Sequence, residues 1–278
     1  MKGLPILVLF LVLCPFSRAE DVNSYSDSTG RTLWNLQYWS LASNAEKCIP
    51  QYNSGWQNLN KINVQGTAMF GLSQVTISVN IAQKTLNVAF RGPDAATTFV
   101  LSGLNYLVTT PPLVDFQYGL KVAPEYLTTF NALWGGGLRT AINAAWDQYC
   151  DFKLLITGHS LGSCLGQMFS IKMNKDALWT TDTIQFYGWS SPRCGNQLFA
   201  LEMDASSYSR YRINYQDYVW ALKYTKSGGI WGIGATTGTN PTRCAQSEMT
   251  ACTAGGILDT TNHAGFFEKN FGLFTLSC

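Results

Sequence analysis

Residues 153–168 read KLLITGHSLGSCLGQM, and the fold is decided by how they are read. Leu154-Leu155-Ile156-Thr157 is a short apolar run with a β-branched end, the pattern of a buried strand. Gly158-His159-Ser160-Leu161-Gly162 follows, and Cys164, Leu165, Met168 and Phe169 begin a helix-compatible run at once. A strand, a G-x-S-x-G turn and a helix are what a nucleophile elbow requires, because the two glycines let the chain turn tightly with Ser160 in a strained conformation. The hydroxyl then stands clear of the sheet, next to a helix N-terminus whose unpaired N–H groups can meet a developing oxyanion. Five such residues occur by chance in a glycine-rich chain. The strand before them, the helix after them and the partners downstream give them weight.

The chain has 278 residues, enough for one large α/β domain, and no linker divides it. At 46% apolar and 13% aromatic residues it is not a disordered chain, and it has material for an apolar cleft. Residues 1–19 carry Lys2, an apolar run from Leu4 to Phe16 and the small residues Ser17 and Ala19 around Arg18. That layout is a secretory signal peptide, too short for a convincing membrane span, so residues 20–278 are expected to form the mature domain and to be secreted. Lys2 and Arg18 account for two of the 19 basic residues, which leaves 17 against 17 acidic ones. A neutral chain without a Lys/Arg cluster excludes nucleic acid and anionic lipid as electrostatic partners. Of eight cysteines, Cys14 falls in the leader; the other seven imply disulfides and at least one thiol that is free or paired between molecules. With only His159 and His263, and no C-x-x-C, no metal site is expected. There is no N-x-Ser/Thr sequon, since Asn240-Pro241-Thr242 is disqualified by its proline.

In chain order, Leu33 to Cys48 reads as one N-terminal helix ending before Pro50, and Gln51 to Gln65 as loop. Val75, Ile77, Val79 and Ile81 alternate with Thr76, Ser78 and Asn80, so this strand should have one buried and one polar face. Gln83-Lys84 turns it into the more apolar Thr85–Phe90, an antiparallel hairpin. After Arg91-Gly92-Pro93-Asp94 comes an apolar segment with Phe99, Val100, Leu101, Leu104, Tyr106 and Leu107 and no clean period. It is either a buried connection or a lid whose apolar face covers an apolar site and turns outward at a lipid surface. Pro124 to Tyr149 carries a helical stripe begun by proline and kinked or divided at Gly135-Gly136-Gly137. Beyond the serine helix, Thr183–Tyr187 and Tyr208–Asn214 read as further parallel strands, with Gly188 to Arg193 and Asp217 at their carboxyl ends, where such sheets do chemistry. Tyr218 to Cys252 should be irregular.

A serine hydroxyl needs an imidazole to take its proton, and the imidazole needs a carboxylate to hold its tautomer. His159 adjoins Ser160 and cannot easily fold back onto the hydroxyl, which leaves His263 as base. Asp217 is the best-placed acid and gives the order Ser, Asp, His of the α/β-hydrolases. Asp182 precedes a strand, at the wrong end of the sheet, and Asp259 is too close to His263 in sequence.

With GHSLG at 158–162, AFRG at 89–92, SPRCGN at 191–196, RINYQDYV at 212–219 and the late His263, the chain resembles the fungal-type class 3 lipases. The resemblance implies an α/β-hydrolase fold, a central mostly parallel sheet with helices on both faces, and a cofactor-free secreted esterase with Ser160, Asp217 and His263 as triad. It implies that residues from about 95 to 106 are the lid, with Phe99, Val100, Leu101 and Leu104 facing substrate. It also implies the disulfides Cys48–Cys278 and Cys244–Cys252, and assigns nothing to Cys150, Cys164 or Cys194. Three positions depart from the family. After FRG the family has Ser or Thr, which gives N–H and hydroxyl to the oxyanion hole; Pro93 has neither. Leu161 N–H remains, with Asp94 N–H as a second donor if the loop shifts. The V-H-x-G segment appears as Val122-Ala123-Pro124-Glu125, and D-x-V-P has Trp220 in place of proline.

The reading is a monomeric carboxylic ester hydrolase that forms an acyl-serine intermediate on lipid esters, acylglycerols foremost, at a lipid–water interface. Phospholipids or aryl esters would leave the same sequence marks. From another class, Pro93 motivates a lipase-fold binding protein that keeps the triad residues without turnover.

Overall fold

The computed structural model describes residues 27–67, 71–92, 112–206, 209–214, 230–232, 242–244, 265–266, 269–270 and 278. Its centre is an eight-stranded sheet in the order β1-β2-β3-β6-β7-β8-β9-β10. Strands β1 (Trp56–Gln65), β2 (Leu72–Asn80) and β3 (Thr85–Phe90) form an antiparallel meander. The hairpin of β2 and β3 turns where the sequence places it, with Asn80 opposite Thr85. From β3 onward the sheet runs parallel through β6 (Lys153–His159), β7 (Ile184–Trp189), β8 (Ser209–Asn214) and β9 (Ile230–Gly232), and β10 (Thr242–Cys244) closes it antiparallel. Short hairpins β4/β5 (Val114–Gln117, Leu120–Val122) and β11/β12 (Gly265–Phe266, Lys269–Asn270) stand apart from it.

Alternation along β6 explains why the sheet is covered on both faces. Leu154 and Ile156 join a large core with Val75, Ile77, Leu86, Val88, Phe186 and the helices that follow β5. Leu155 points the other way, into a smaller core with Leu33, Trp34, Leu36, Ile49, Trp56, Tyr187 and Trp189. Helices α1 (Asp27–Ser40) and α2 (Ala45–Tyr52) supply that second layer. The first layer holds α3 (Pro124–Leu133), α4 (Arg139–Tyr149), the serine helix α5 (Leu161–Lys175) and α6 (Gln197–Ser206). Pro124 sits in the first turn of α3, and a wide turn over Trp134–Leu138, with Gly137 at φ 126°, carries α3 into α4. That is the interruption the three glycines imply.

Four expectations give way. The first helix is two: α1 stops at Ser40, where Lys61 Nζ donates to the carbonyls of Ala42 (2.9 Å) and Ser43 (2.7 Å) beyond its end, and Pro50 lies inside α2. Burial pushes the Lys61 ammonium below the ordinary lysine value. The supposed loop 51–65 contains β1, an edge strand whose polar residues are mostly exposed and whose buried apolar residues are Trp56 and Ile62. Strand β2 has no solvent face: Gln74, Thr76, Ser78 and Asn80 are as buried as Val75 and Ile77. Covered by α1, Gln74 Nε2 and Thr76 Oγ1 both donate to Ser40 O, the latter at 3.0 Å. Lastly, β9 and β10 lie in the region read as irregular. Both are three residues long and widely separated, so no local period marks them.

Ile156 is fully buried in the middle of β6. Ile156→Ala should lower unfolding stability by about 2–4 kcal/mol, read as a shift in the urea midpoint with an unchanged slope.

Candidate active site

Three parallel strands deliver their carboxyl ends side by side: Phe90 of β3 pairs with Gly158 of β6, and Gly158 with Gly188 of β7. Ser160 follows β6 directly and caps α5 with φ 55° and ψ −129°. A side chain in the left-handed region is strained, and neighbouring contacts hold it there. The Ser160 N–H donates to Trp189 O at 2.9 Å, and its carbonyl accepts from Ser163 N–H at 2.9 Å. The glycines of the motif are needed for close approach. A Cβ on Gly158 would lie 2.6 Å from Gly162 O, and one on Gly162 would lie 2.5 Å from the carbonyl oxygens of Phe90 and Arg91. Thus α5 presses its first turn directly onto the end of β3.

Leu161 opens α5, so its N–H has no acceptor within the helix and is available at the elbow. On the other side stands Gly92, which sequence reasoning passed over. A Cβ there would meet His159 O at 2.8 Å and lie 3.5 Å from Ser160 Cβ. The end of β3 therefore touches the elbow through a glycine backbone, with Pro93 next in sequence. His159 is buried, edge-on to Trp34 with ring centroids 5.8 Å apart, and Trp34 leans on Trp189. It packs against the α1 layer. Ser190, one residue past β7, is also buried with positive φ, 49°, so a buried serine at positive φ follows each of two adjacent strands.

Strand β8 runs parallel to β7 and ends at Asn214, three residues short of Asp217 in sequence. Asp217 and His263 lie outside the described residues, as do Pro93, Asp94, the lid segment with Phe99, Val100, Leu101 and Leu104, the leader, and Cys252. Cys244 falls in β10 by its backbone alone.

Cys48 and Cys278 are disulfide-bonded, as the resemblance implies. Cys164 and Cys194, unassigned in sequence, form a second bond with Cα atoms 5.4 Å apart. Cys150 is disulfide-bonded too, so no thiol is free among the described residues; the odd cysteine that the count of seven implies is not located among them. The Cys164–Cys194 bond ties the serine helix to the loop after β7. Beside it Gln167 Nε2 donates to Ser191 Oγ at 2.9 Å. The same loop grips β5: Ala123 N–H donates to Cys194 O, Asn196 N–H to Lys121 O at 3.0 Å, and Gly195 bridges Val122. The elbow, the β7 loop and the β4/β5 hairpin are thereby one cross-linked unit. Among the described residues no cluster could hold a metal ion, and no helix is long and apolar enough to cross a membrane.

A mostly parallel sheet, helices on both faces and a strained serine between strand and helix at its carboxyl edge place the chain among the α/β-hydrolases. Within that class, residues 87–224 match the class 3 lipases. A lipase of Caenorhabditis elegans is 24% identical over 188 residues, 66% of this chain and 51% of the relative. The secreted mono- and diacylglycerol lipase 1 of Fusarium solani is 26% identical over 141 residues, 51% of this chain and 40% of the relative. The crystal structure of the lipase from Rhizopus microsporus var. chinensis matches with a TM-score of 0.74 at 18% identity, over 92% of this chain and 93% of that one. The chain spans about half the length of the curated relatives it matches. At 18% identity the structural likeness speaks for the fold.

Replacing both Cys164 and Cys194 by alanine should cost about 2–4 kcal/mol. Thermal unfolding beside the parent protein, both without reductant, checks it.

Proposed function

We propose that the chain is a secreted serine esterase that hydrolyses acylglycerol esters through an acyl-serine intermediate. The observation that carries the reading is the Ser160 backbone, held in a costly conformation at the edge where the carboxyl ends of three strands meet. Ser160 Oγ attacks the ester carbonyl and His263 takes its proton. Asp217 holds the imidazole and steadies its charge. The Leu161 N–H is one donor to the tetrahedral oxyanion; the second comes from the backbone after Arg91, Gly92 N–H or Asp94 N–H. His263 then protonates the leaving alcohol, and water releases the acid by the same steps in reverse.

The match to the class 3 lipases, with a secreted mono- and diacylglycerol lipase among the relatives, supports lipid esters as substrates. Disulfide bonds support an oxidising, extracellular compartment. The segment around Phe99, Val100, Leu101 and Leu104 acts as lid at a lipid–water interface. Pro93 favours the second reading, a lipase-fold binding protein without turnover, because a proline cannot donate where the family has Ser or Thr.

Hydrolysis of short- and long-chain p-nitrophenyl esters decides between them. The parent chain should hydrolyse both, faster on the long chain when a lipid emulsion is added. Ser160→Ala should lose about 10³-fold or more. A folded parent chain with no activity on either ester would leave the binding protein standing. Pro93→Ser should raise kcat by about tenfold by restoring a donor, with KM little changed; an unchanged kcat would mean that the backbone at Gly92 or Asp94 already fills that place.

A further inference from the structure

Helix α1 buries polar side chains that its apolar face does not call for, Gln37 the longest of them. Gln37 is 0% exposed, in a row with Leu33, Leu36 and Ser40. Its amide spans the junction between the two strands that build the site: Nε2 donates to Phe90 O at 3.0 Å, and Oε1 accepts from Thr157 Oγ1 at 2.7 Å. The carbonyl of Phe90 can only accept, so the orientation of the amide is fixed, and the Thr157 hydroxyl must be the donor at the other end.

The bond to Phe90 O has a partner across the same peptide unit. Arg91 N–H donates to Gln74 O at 2.9 Å, so the Phe90–Arg91 peptide is held at its C=O by Gln37 and at its N–H by β2. One residue later Gly92 lies against Ser160. Thr157 is three residues before Ser160 on β6. Gln37 thus ties the strand that ends in the serine to the peptide that aims the opposite wall of the site. The helix carrying it is anchored in turn. Ser40 Oγ donates to Gln37 O at 2.7 Å, and Ser40 O receives both Gln74 Nε2 and Thr76 Oγ1.

We propose that Gln37 is a positioning residue for the reaction: by clamping the Phe90–Arg91 peptide to Thr157, it sets the backbone after Arg91 at the spacing from Ser160 that oxyanion stabilisation needs. It touches no substrate. A leucine would fill the same space and leave Phe90 O and the Thr157 hydroxyl buried without each other's bridge. The peptide could then turn, and a shift of about 1 Å at such a wall costs up to 10²-fold in rate. This rests on the esterase reading, and the test separates the two.

The probe is an alkyl fluorophosphonate. Ser160 Oγ bonds to phosphorus, fluoride leaves, and the hydroxyl proton passes to His263, while negative charge gathers on the phosphoryl oxygen that the oxyanion donors receive. Its second-order labelling rate is measured for the parent, Gln37→Met and Thr157→Val, with a melting curve for each. Gln37→Met keeps the length of the side chain and loses both hydrogen bonds. Thr157→Val releases only the far end of the clamp, and decides the matter alone if Gln37→Met does not fold. Expected are labelling rates about tenfold lower or more for Gln37→Met and a smaller drop for Thr157→Val, both still melting cooperatively. Folded variants labelled within about twofold of the parent would overturn the proposal and leave Gln37 a structural residue. A parent chain that is not labelled at all would sink the serine esterase reading, and the proposal with it.

Discussion

Everything at the carboxyl edge of the sheet depends on one steric fit: the first turn of α5 lying on the carbonyls at the end of β3. With Gly162 close enough to Phe90 O and Arg91 O that no Cβ could intervene, the helix has a single permitted approach to the sheet. That approach sets the angle at which β6 must turn into α5, and the turn puts Ser160 at positive φ. A backbone strain of about 1–3 kcal/mol persists only where its surroundings over-determine it. Here they do so from three directions, through Trp189 O, Ser163 N–H and the Gly92 backbone.

What could be read from the sequence was what is local. The turn with its two glycines, the parallel strands around it and the glycine-broken helix pair announce themselves within windows of a few residues, because backbone geometry and short periods are written there. Strand β1 is not legible because an edge strand buries little, and its Asn, Gln and Lys residues look like a loop until β2 pairs with them. The polar alternation of β2 misleads for the opposite reason: α1 covers the face that the pattern assigns to water.

The side-chain bonds that tie the elements around the elbow together are distant in sequence. Gln37 reaches across 53 residues to Phe90 and 120 to Thr157; Cys164 finds Cys194 across 30. No pattern in one chain foretells such pairs, since a glutamine on an apolar helical face or a cysteine in a core helix is ordinary by itself. Of the two disulfides described with both partners, Cys48–Cys278 follows from the family resemblance and Cys164–Cys194 does not.

That last bond has a consequence of a different kind. It joins residues 230 apart in sequence, with Cα atoms 5.5 Å apart, and so makes the chain between them a covalent ring. A ring has no fragment to lose at a single cut. Should an extracellular protease nick any exposed loop between those cysteines, the two pieces would stay attached and close in space, with the elbow still held against its neighbours. Release requires a second cut or a reductant. Alongside whatever it adds to folding stability, the bond makes the molecule tolerant of damage to its own backbone.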